Sequence, residues 1–438
     1  MRITVVGGTG YVGLTVAVCL AAQGHTVYAV DIRDDKVQQL KAGIPTIYED
    51  ALTDLLKDTL RRHVFIPSTD VQGAVKHAEV VFVCVGTPSR HDGRMDLSQI
   101  QGASEDIGLA LKEDDDYRVV VVKSTVLPGT TENLVMPTIE RLSGKTAGAD
   151  FGVCMNPEFL REGQALNDFL YPKDTGIIIG ELDERSGDVL FDIYNEFDAE
   201  ILRTPIRVAE MVKYARNAYL AKDISFANEM ANICQGLGID YLDVKKGMEM
   251  DSRIGRGRFL NAGAGFGGSC FPKDVRALLA QTAELGVDPM MLRATLGVND
   301  MQPYRLVEMT KRGLGEIDGK QITILGLSFK PGTDDMREAP AIKIIHSLLA
   351  EGAKVMAYDP KAVDNARKIF GDRIQYAGSS KEALTHADAC VIVTEWSEFS
   401  DPQLYDHMAG KLVVDGRRIL NPNAFSSDVR YTGVGWRF

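Results

Sequence analysis

The sequence has few of the features that mark a disulfide-rich, membrane or nucleic-acid-binding protein. Its six cysteines are widely spaced, with no Cys-x-x-Cys pair and no zinc-ligand spacing, so we expect a reduced, cytoplasmic protein without a metal site. No apolar run approaches the 18 residues of a membrane-spanning helix. Basic residues number 49 against 61 acidic ones, a net charge of −12, so a nucleic-acid-binding surface would have to be local.

What the chain has instead is ordinary globular composition and many glycines. The 438 residues are 45% apolar and 25% charged, which fits a soluble protein of two to three domains. There are 42 glycines, above the average share. Near the N-terminus, Arg2, an apolar stretch and Ala21-Ala22 loosely resemble a signal peptide, but the interrupting glycines favour a strand, a turn and a helix.

Residues 1–203 are predicted to form an N-terminal dinucleotide-binding domain. RITVV, GGTGYVG, LTVAVCLAAQG and HTVYAVD fit a strand, a glycine turn, a helix and a second strand. The later runs AEVVFVCVG and RVVVVKST are almost continuously apolar, with helical stretches between them. Such strands predict a doubly wound parallel sheet that is covered on both faces.

The remaining residues are predicted to form a helical region and a second α/β domain. Residues 204–300 begin with a proline-free helical pattern of some 30 positions, which could link two domains and provide a dimerisation surface. In 301–438 the pattern ITILG…KVMAYD, ending on Asp359, repeats the first unit without its glycine turn. The fold class is therefore α/β, with two Rossmann-like domains joined by a long central helix.

The first turn indicates NAD binding. Gly8, Gly10 and Gly13 satisfy G-x-G-x-x-G after a strand, and Asp31 at the end of the second strand could bond the ribose hydroxyls and repel a 2′-phosphate. The same turn also matches G-x-x-G-x-x-G, which is typical of nucleotide-sugar epimerases with a Tyr-x-x-x-Lys pair. Tyr241 and Lys245 form such a pair, but one is expected by chance in a chain of this composition.

The strongest candidate for chemistry is the loop GFGGSCFPKD. Its cysteine, Cys270, precedes a proline at which a helix can begin, and both the helix N-terminus and Lys273 favour a thiolate there. Asp274 follows one helical turn later and could act as a base or orient water. On the long helix, Lys213 and Asn217 share a face and could stabilise an oxygen that gains negative charge.

Motifs along nearly the whole chain resemble the UDP-glucose/GDP-mannose dehydrogenase family. They are GTGYVGL, GIPTIYE, CVGTP…DG…DLS, VVKSTV.PGT, NPEFLREG, AE..KYA.NA, D.RIG, GFGGSCFPKD, LGLSFKPGTDDMRE and VDGRR. Members oxidise a sugar C6 alcohol to a carboxylate with two NAD⁺. The resemblance implies that Cys270 holds the intermediate, first as a thiohemiacetal and then as a thioester. Lys213 and Asn217 would stabilise oxyanions, and Asp274, Thr125 and Glu158 would handle water and protons.

The resemblance also implies binding residues. The implied cofactor contacts, counting the glycine turn and Asp31, are Gly8, Gly10, Val12, Gly13, Asp31, Lys36, Thr87, Thr125, Glu162, Lys273 and Arg337. The implied contacts with the nucleotide sugar, which would lie between domains, are Glu158, Phe159, Leu160, Arg161, Glu162, Lys213, Asn217, Arg253, Phe259, Leu260, Asn261, Ala262, Gly263, Gly267, Lys330 and Arg417. In similar enzymes the counterpart of Arg253 comes from the neighbouring subunit, which implies a homodimer.

The motifs leave open which of the family's nucleotide sugars is the substrate. GFGGSCFPKD and FLNAGAGF look most like the branch that oxidises UDP-glucose to UDP-glucuronate, whereas enzymes for UDP-N-acetylhexosamines tend to have proline where this chain has Ser269. GDP-mannose is the other alternative substrate. An epimerase, or a non-catalytic protein that binds NAD or a nucleotide sugar, is the alternative function. The run after Ile254 is one residue longer than in many relatives.

Overall fold

The computed structural model describes residues 1–112, 116–255, 259–425 and 428–436, so the insertion predicted after Ile254 falls partly outside the described residues, at 256–258. The chain divides into two compact units, Met1–Arg216 and Asn217–Phe438. Helix α9, Ile206–Gly236, has 31 residues and runs from the first unit into the second, as the long helical pattern predicted. The prediction of two α/β units joined by a long helix is confirmed.

The first unit contains an eight-stranded sheet. In chain order its strands are β1 Arg2–Val6, β2 Thr26–Val30, β3 Phe65–Ser68, β4 Val80–Val83, β5 Val119–Val122, β6 Gly152–Met155, β7 Ile177–Glu181 and β8 Ile201–Pro205. Their spatial order is β3-β2-β1-β4-β5-β6-β7-β8. The first six strands are parallel and have the strand order of a dinucleotide-binding fold.

Helices cover this sheet. They are α1 Tyr11–Ala22, α2 Asp34–Lys41, α3 Leu52–Arg61, α4 Val71–His77, α5 Ser98–Leu111, α6 Met136–Ser143 (preceded by a π-helical turn, Thr131–Val135), α7 Ala165–Leu170 and α8 Glu184–Tyr194. Helix α1 is buried on every side from Gly13 to Ala21, because it packs between β1 and the helices beside it. Its apolar character all round is what a central helix of such a fold requires.

The last two strands of the first unit correct the prediction of a parallel sheet. Strand β7 runs antiparallel to β6, and β8 then runs parallel to β7. Between β6 and β7 the chain forms only the six-residue α7 and a single 3-10 turn. The connection, residues 156–176, therefore lacks the long crossover helix that usually joins two parallel strands.

The second unit contains a six-stranded, wholly parallel sheet. Its strands are β9 Gln321–Leu325, β10 Lys354–Tyr358, β11 Gln375–Tyr376, β12 Ala389–Ile392, β13 Leu412–Asp415 and β14 Arg430–Gly433, in the order β11-β10-β9-β12-β13-β14. Its other helices are α10 Tyr241–Met248, α11 Phe271–Leu285, α12 Met290–Leu314, α13 Pro340–Ala350, α14 Val363–Phe370 and α15 Ser380–Leu384. The strand order repeats that of β1–β6.

Candidate active site

The glycine turn has the shape that a dinucleotide pyrophosphate requires. Gly7 has φ +83°, and a Cβ at Gly13 would lie 2.1 Å from the carbonyl oxygen of Gly7, so neither position accommodates a side chain. Gly10 precedes α1, and no side chain caps that helix N-terminus. A Cβ at Gly10 would meet only the Gly7 oxygen, at 3.4 Å. The turn therefore presents backbone amides and a helix N-terminus to a phosphate-bearing ligand.

Asp31 follows β2 and is partly exposed. Its carboxylate accepts a hydrogen bond from Thr9 Oγ1 at 2.5 Å and another from the Arg33 backbone N–H at 3.1 Å. A carboxylate at this strand end is placed to accept from ribose hydroxyls. Val12 on α1 packs against the apolar core, and Lys36 lies partly exposed in the first turn of α2.

Two threonines predicted to face the cofactor meet at neighbouring strand ends. Thr87 Oγ1 donates to the carbonyl oxygen of Thr125 at 2.9 Å, so the loops after β4 and β5 are tied together. Both residues follow strands at the carboxyl edge of the sheet, where ligands of this fold bind.

Glu158 and Lys213 form a buried ion pair within the first unit. Lys213 Nζ donates to Glu158 Oε1 at 2.8 Å and to the Glu158 carbonyl oxygen at 2.7 Å. Burial opposes ionisation of Glu158, but the charge and hydrogen bonds of Lys213 and the Leu160 backbone N–H outweigh it and lower the pKa of Glu158. Phe159 lies beside the pair, with Lys213 Nζ 5.4 Å from its ring centre.

The cysteine predicted to be the nucleophile lies in the second unit. Cys270 is exposed and is the N-cap residue of α11, without a side-chain capping hydrogen bond, and Pro272 occupies the first turn, as the sequence predicts. The other five cysteines are buried. Burial raises the pKa of Cys19, Cys84 and Cys154 to about 12, so they stay thiols. Cys270 alone among the six combines exposure with a position at a helix N-terminus.

Asp274 is held by two partners one turn into α11. Its side chain is 2% exposed, with Oδ2 accepting from Asn217 Nδ2 and Oδ1 from Lys273 Nζ, each at 2.6 Å. Its backbone N–H donates to the carbonyl oxygen of Cys270 at 2.8 Å. The structure therefore brings together Cys270, Lys273, Asp274 and Asn217.

The predicted sugar loop packs against the carboxyl ends of β9 and β13. A Cβ at Gly263 would lie 3.2 Å from Arg417 Nη1, and one at Gly267 would lie 2.5 Å from the Glu338 carbonyl oxygen. Arg417 also reaches back to the Val393 carbonyl oxygen at 2.6 Å. Lys330 lies 5.6 Å from the ring centre of its neighbour Phe329. Leu260 and Ala262 are buried, Asn261 is exposed, and Phe259 is half-exposed with φ +54°.

Three predicted arginines form ion pairs with nearby acids. Arg253 is 88% exposed and pairs with Asp251. Arg337 pairs with Asp335, and Arg161 forms a bidentate pair with Asp168. Glu162, the remaining predicted contact, is partly exposed next to Arg161.

The rival Tyr-x-x-x-Lys pair is structural. Tyr241 is completely buried and donates to the carbonyl oxygen of Leu260 at 2.9 Å, and burial raises its pKa to about 12. Lys245 Nζ donates to Asn261 Oδ1 at 2.6 Å. Neither side chain has the setting of an epimerase acid–base pair next to a dinucleotide.

Two buried residues near these segments were not predicted from the sequence. Lys123 donates to Asn156 Oδ1 at 2.6 Å, and burial lowers its pKa to about 8. Glu210 accepts from the backbone N–H groups of Gly129 and Thr131. The signal for Lys123 is a charged residue directly after a strand of four valines.

Comparison with known proteins covers almost the whole chain. Residues 1–198 match the NAD-binding domain of the UDP-glucose/GDP-mannose dehydrogenase family, 207–301 match its central domain and 323–422 its UDP-binding domain. The chain belongs to this family. Its cofactor is therefore NAD, and its substrate is a nucleotide sugar.

Individual family members are similar over nearly their full length. A UDP-glucose 6-dehydrogenase of Haloferax volcanii is 42% identical over 431 residues, covering 96% of this chain and 97% of the relative. A GDP-mannose 6-dehydrogenase of Pseudomonas aeruginosa is 41% identical over 380 residues, covering 86% and 85%. The solved structure of a UDP-glucose dehydrogenase from Pyrobaculum islandicum has a TM-score of 0.92 at 39% identity, covering 99% and 97%.

The described residues contain neither a membrane-spanning helix nor a cluster of metal-ligating side chains. None of the described helices combines the length and apolar composition needed to cross a membrane. Nor do three histidine, cysteine, aspartate or glutamate side chains in the described ranges form a group that could hold a metal ion.

Proposed function

We propose that this protein catalyses the NAD-dependent, four-electron oxidation of UDP-glucose to UDP-glucuronate, with Cys270 as the covalent nucleophile. The observation that carries the proposal is the exposed thiol at the N-terminus of α11, with Asp274 one turn away, in a member of this family. Bound NAD⁺ supplies the oxidising equivalent for each of the two oxidations.

Cys270 accounts for how one site performs both oxidations. The C6 alcohol loses a proton and a hydride to give an aldehyde, and Sγ adds to its carbonyl carbon to form a thiohemiacetal. The thiohemiacetal then loses its hydroxyl proton and a second hydride to give a thioester, which water hydrolyses to the carboxylate while the thiolate is released. Holding the aldehyde on sulfur keeps it from leaving before the second oxidation.

Asp274 and Asn217 are suited to the hydrolytic step. Because Asn217 and Lys273 each donate to a different oxygen of Asp274, the carboxylate has a fixed orientation next to the thiol-bearing residue. We assign Asp274 to accept a proton from water, with Thr125 as a further proton-relay residue. Asn217 would also donate to the oxygen on C6.

Lys213 is suited to stabilise developing negative charge on the C6 oxygen. Its ammonium group is buried and held by Glu158, and a fixed charge in a dry setting stabilises an oxyanion far better than an ammonium in water. We assign Glu158 to hold Lys213 and to exchange protons with the substrate. We propose that the remaining residues implied by the family resemblance bind NAD and the nucleotide sugar.

UDP-glucose is the proposed substrate among the family's nucleotide sugars. Relatives named as UDP-glucose 6-dehydrogenases are 42%, 40% and 38% identical to this chain, and a serine rather than a proline precedes Cys270. GDP-mannose remains the alternative, because a GDP-mannose 6-dehydrogenase reaches 41% identity.

We further propose a homodimer that forms through α9. Tyr219, Phe226 and Ile233 are spaced seven residues apart on this helix and are 61%, 43% and 50% exposed, so they form one apolar stripe along its surface. We propose that the same stripe on a second copy of this chain packs against it. We also propose a cytoplasmic location, because an exposed nucleophilic thiol requires a reducing compartment.

A substrate panel tests the proposed reaction. UDP-glucose, GDP-mannose and a UDP-N-acetylhexosamine are each incubated with NAD⁺ and the protein, and NADH formation is followed. We expect the highest kcat/KM with UDP-glucose. A higher kcat/KM with one of the other two sugars would make that sugar the substrate of the proposed mechanism. Binding of all three without NADH formation would contradict the assignment as an enzyme.

A further inference from the structure

The motif GIPTIYE contributes a buried carboxylate to which none of the assigned roles applies. Glu49 is 6% exposed and accepts hydrogen bonds from the Gly163 backbone N–H at 2.5 Å and the Ala165 backbone N–H at 3.1 Å. It also accepts a short hydrogen bond from the Tyr11 hydroxyl. The hydroxyl oxygen of Tyr11 in turn accepts from the Gly163 N–H at 3.2 Å.

These partners belong to two functional segments of the first unit. Tyr11 is the first residue of α1, directly after the glycine turn. Gly163 and Ala165 follow the segment 158–162, which carries Glu158 and the predicted sugar contacts. A single carboxylate thus joins the cofactor loop to the substrate segment.

The loop that carries Glu49 is attached to the cofactor loop at a second point. Thr46 Oγ1 donates to the carbonyl oxygen of Thr9 at 2.7 Å, and Thr9 Oγ1 donates to Asp31. A displacement of the cofactor loop therefore acts on Glu49 through both Tyr11 and Thr46.

The substrate segment is held at both ends. At its start Glu158 is paired with Lys213, and at its end Glu49 holds the backbone of Gly163 and Ala165. Between these anchors, Arg161 is held by Asp168. Buried, charge-assisted hydrogen bonds are strong. We therefore expect a small displacement of one segment to displace the other through this network.

We propose that Glu49 is a positioning residue that couples the cofactor loop to the substrate segment, so that NAD binding and nucleotide-sugar binding strengthen each other through it. The inference rests on the proposed function, because it takes 158–162 as the sugar-binding segment. Coupling of this kind is reciprocal, so either ligand can be used to measure it.

The chemistry of the site explains why a carboxylate is needed. All of its described partners, one hydroxyl and two backbone N–H groups, are donors, and an ionised carboxylate is a pure acceptor. In Glu49→Gln an amide of the same size would place its own N–H₂ group among those donors. Tyr11→Phe keeps the carboxylate and its two backbone bonds but removes the direct hydrogen bond from α1, while the attachment through Thr46 remains.

Fluorescence titration with NADH, with and without saturating UDP-glucose, measures the coupling without turnover, because both ligands are already in their reduced forms. In the wild type we expect UDP-glucose to tighten NADH binding by roughly fivefold or more. In Glu49→Gln we expect the factor to fall to about one, and in Tyr11→Phe, which keeps the Thr46 attachment, to fall part of the way. A purely structural role would weaken both titrations equally and leave the factor unchanged.

Two neighbouring variants serve as matched controls. Tyr48→Phe removes a hydroxyl that donates to the exposed Asp50 on the same loop, and Asp50→Asn removes a neighbouring charge; both should keep the wild-type factor. If Glu49→Gln does not fold, Tyr11→Phe carries the test by itself.

The possible outcomes separate the inference from the proposed function. A wild-type factor in Tyr11→Phe, or a factor of one in the wild type despite direct binding of UDP-glucose by calorimetry, would overturn the inference. If UDP-glucose does not bind at all, the proposed substrate is wrong, and the nucleotide sugar that does bind replaces it in the same titration.

Discussion

The two α/β units share a strand order but differ in the segment that follows their first strand. Gly7 after β1 and Gly326 after β9 both have positive φ, and each donates its N–H to the end of the next strand at 2.8 Å. In the first unit α1 begins at once, at Tyr11, whereas in the second unit α13 begins only at Pro340. A helix N-terminus therefore follows the first strand directly in the first unit, and only after a long loop in the second.

The acid at the end of the second strand shows the same contrast. Asp31 is partly exposed and accepts from two groups. Asp359 is 2% exposed, and its carboxylate accepts from the loop after β9, the residues that follow it and the indole N–H of Trp396. The backbone amides after β9 bind this internal acid, so the same sequence pattern builds a ligand site in one unit and a structural anchor in the other.

The largest effect is expected at the thiol of the second unit. Cys270→Ser should lower the rate of complete oxidation by more than about 1000-fold, because loss of a covalent nucleophile removes the shared intermediate. NADH binding, which belongs to the first unit, should stay within twofold of the wild type. Cys234→Ala, at a buried cysteine of the same unit, is the control, and steady turnover by Cys270→Ser would contradict the mechanism.

The buried ion pair of the first unit comes next. Lys213→Met should lower the free energy of unfolding by about 3–5 kcal/mol, because it leaves the Glu158 carboxylate buried without its partner. In the wild type the lowered pKa of Glu158 stabilises the fold above pH 4.5, the ordinary value, and that contribution is lost as the pH falls through the lowered pKa.

Denaturant unfolding from pH 7 to pH 3 measures this contribution. In Lys213→Met burial raises the pKa of Glu158, so the loss of stability on acidification should become smaller or reverse. The double variant Glu158→Gln/Lys213→Met should recover much of the stability at pH 7. An unchanged pH dependence in the single variant would show that the pair is not what lowers the pKa.

Asp31 and Asp359 provide a matched pair of predictions, with effects of intermediate size. Asp31→Asn should weaken NADH binding by about tenfold and leave thermal stability nearly unchanged, since the side chain is partly exposed to water. Asp359→Asn should leave NADH binding unchanged but lower the free energy of unfolding by about 1–3 kcal/mol, because an amide group then faces buried donors. The reverse pattern in the two titrations and melting curves would show that the units have been assigned the wrong roles.

The smallest effect is expected at Lys36. Lys36→Ala should weaken NADH binding by about two- to threefold at low salt and less at high salt, because a partly exposed charge near the ligand is screened. Lys361→Ala, after the second strand of the other unit, should have no effect at either salt concentration. Equal effects of the two substitutions would indicate that positive surface charge attracts the NADH anion non-specifically.

The sequence was sufficient for those parts of the site that depend on local geometry. The glycine turn, the helix that begins after Cys270 and the helical spacing of Lys213 and Asn217 each follow from residues close together in the chain. Most of the fold follows in the same way, because near-continuous apolar strands alternating with helices leave few arrangements other than a doubly wound sheet.

Long-range contacts account for what the sequence did not predict. The reversal at β7 depends on a connection that forms no long crossover helix, and the apolar pattern of β7 does not reveal the strand direction. The role of Glu49 depends on backbone groups more than 100 residues away, and that of Asp359 on Trp396. The pattern that ends on Asp359 resembles the one that ends on Asp31, and only the packed structure shows that its carboxylate is already satisfied.

The yield of NADH per molecule of UDP-glucose tests the central claim most directly. With limiting UDP-glucose, excess NAD⁺ and wild-type protein, the reaction is run to completion and NADH is quantified together with the sugar product. We expect two NADH per UDP-glucose, with UDP-glucuronate as the product and no aldehyde released. One NADH per sugar with free aldehyde, or none with unchanged UDP-glucose, would contradict it.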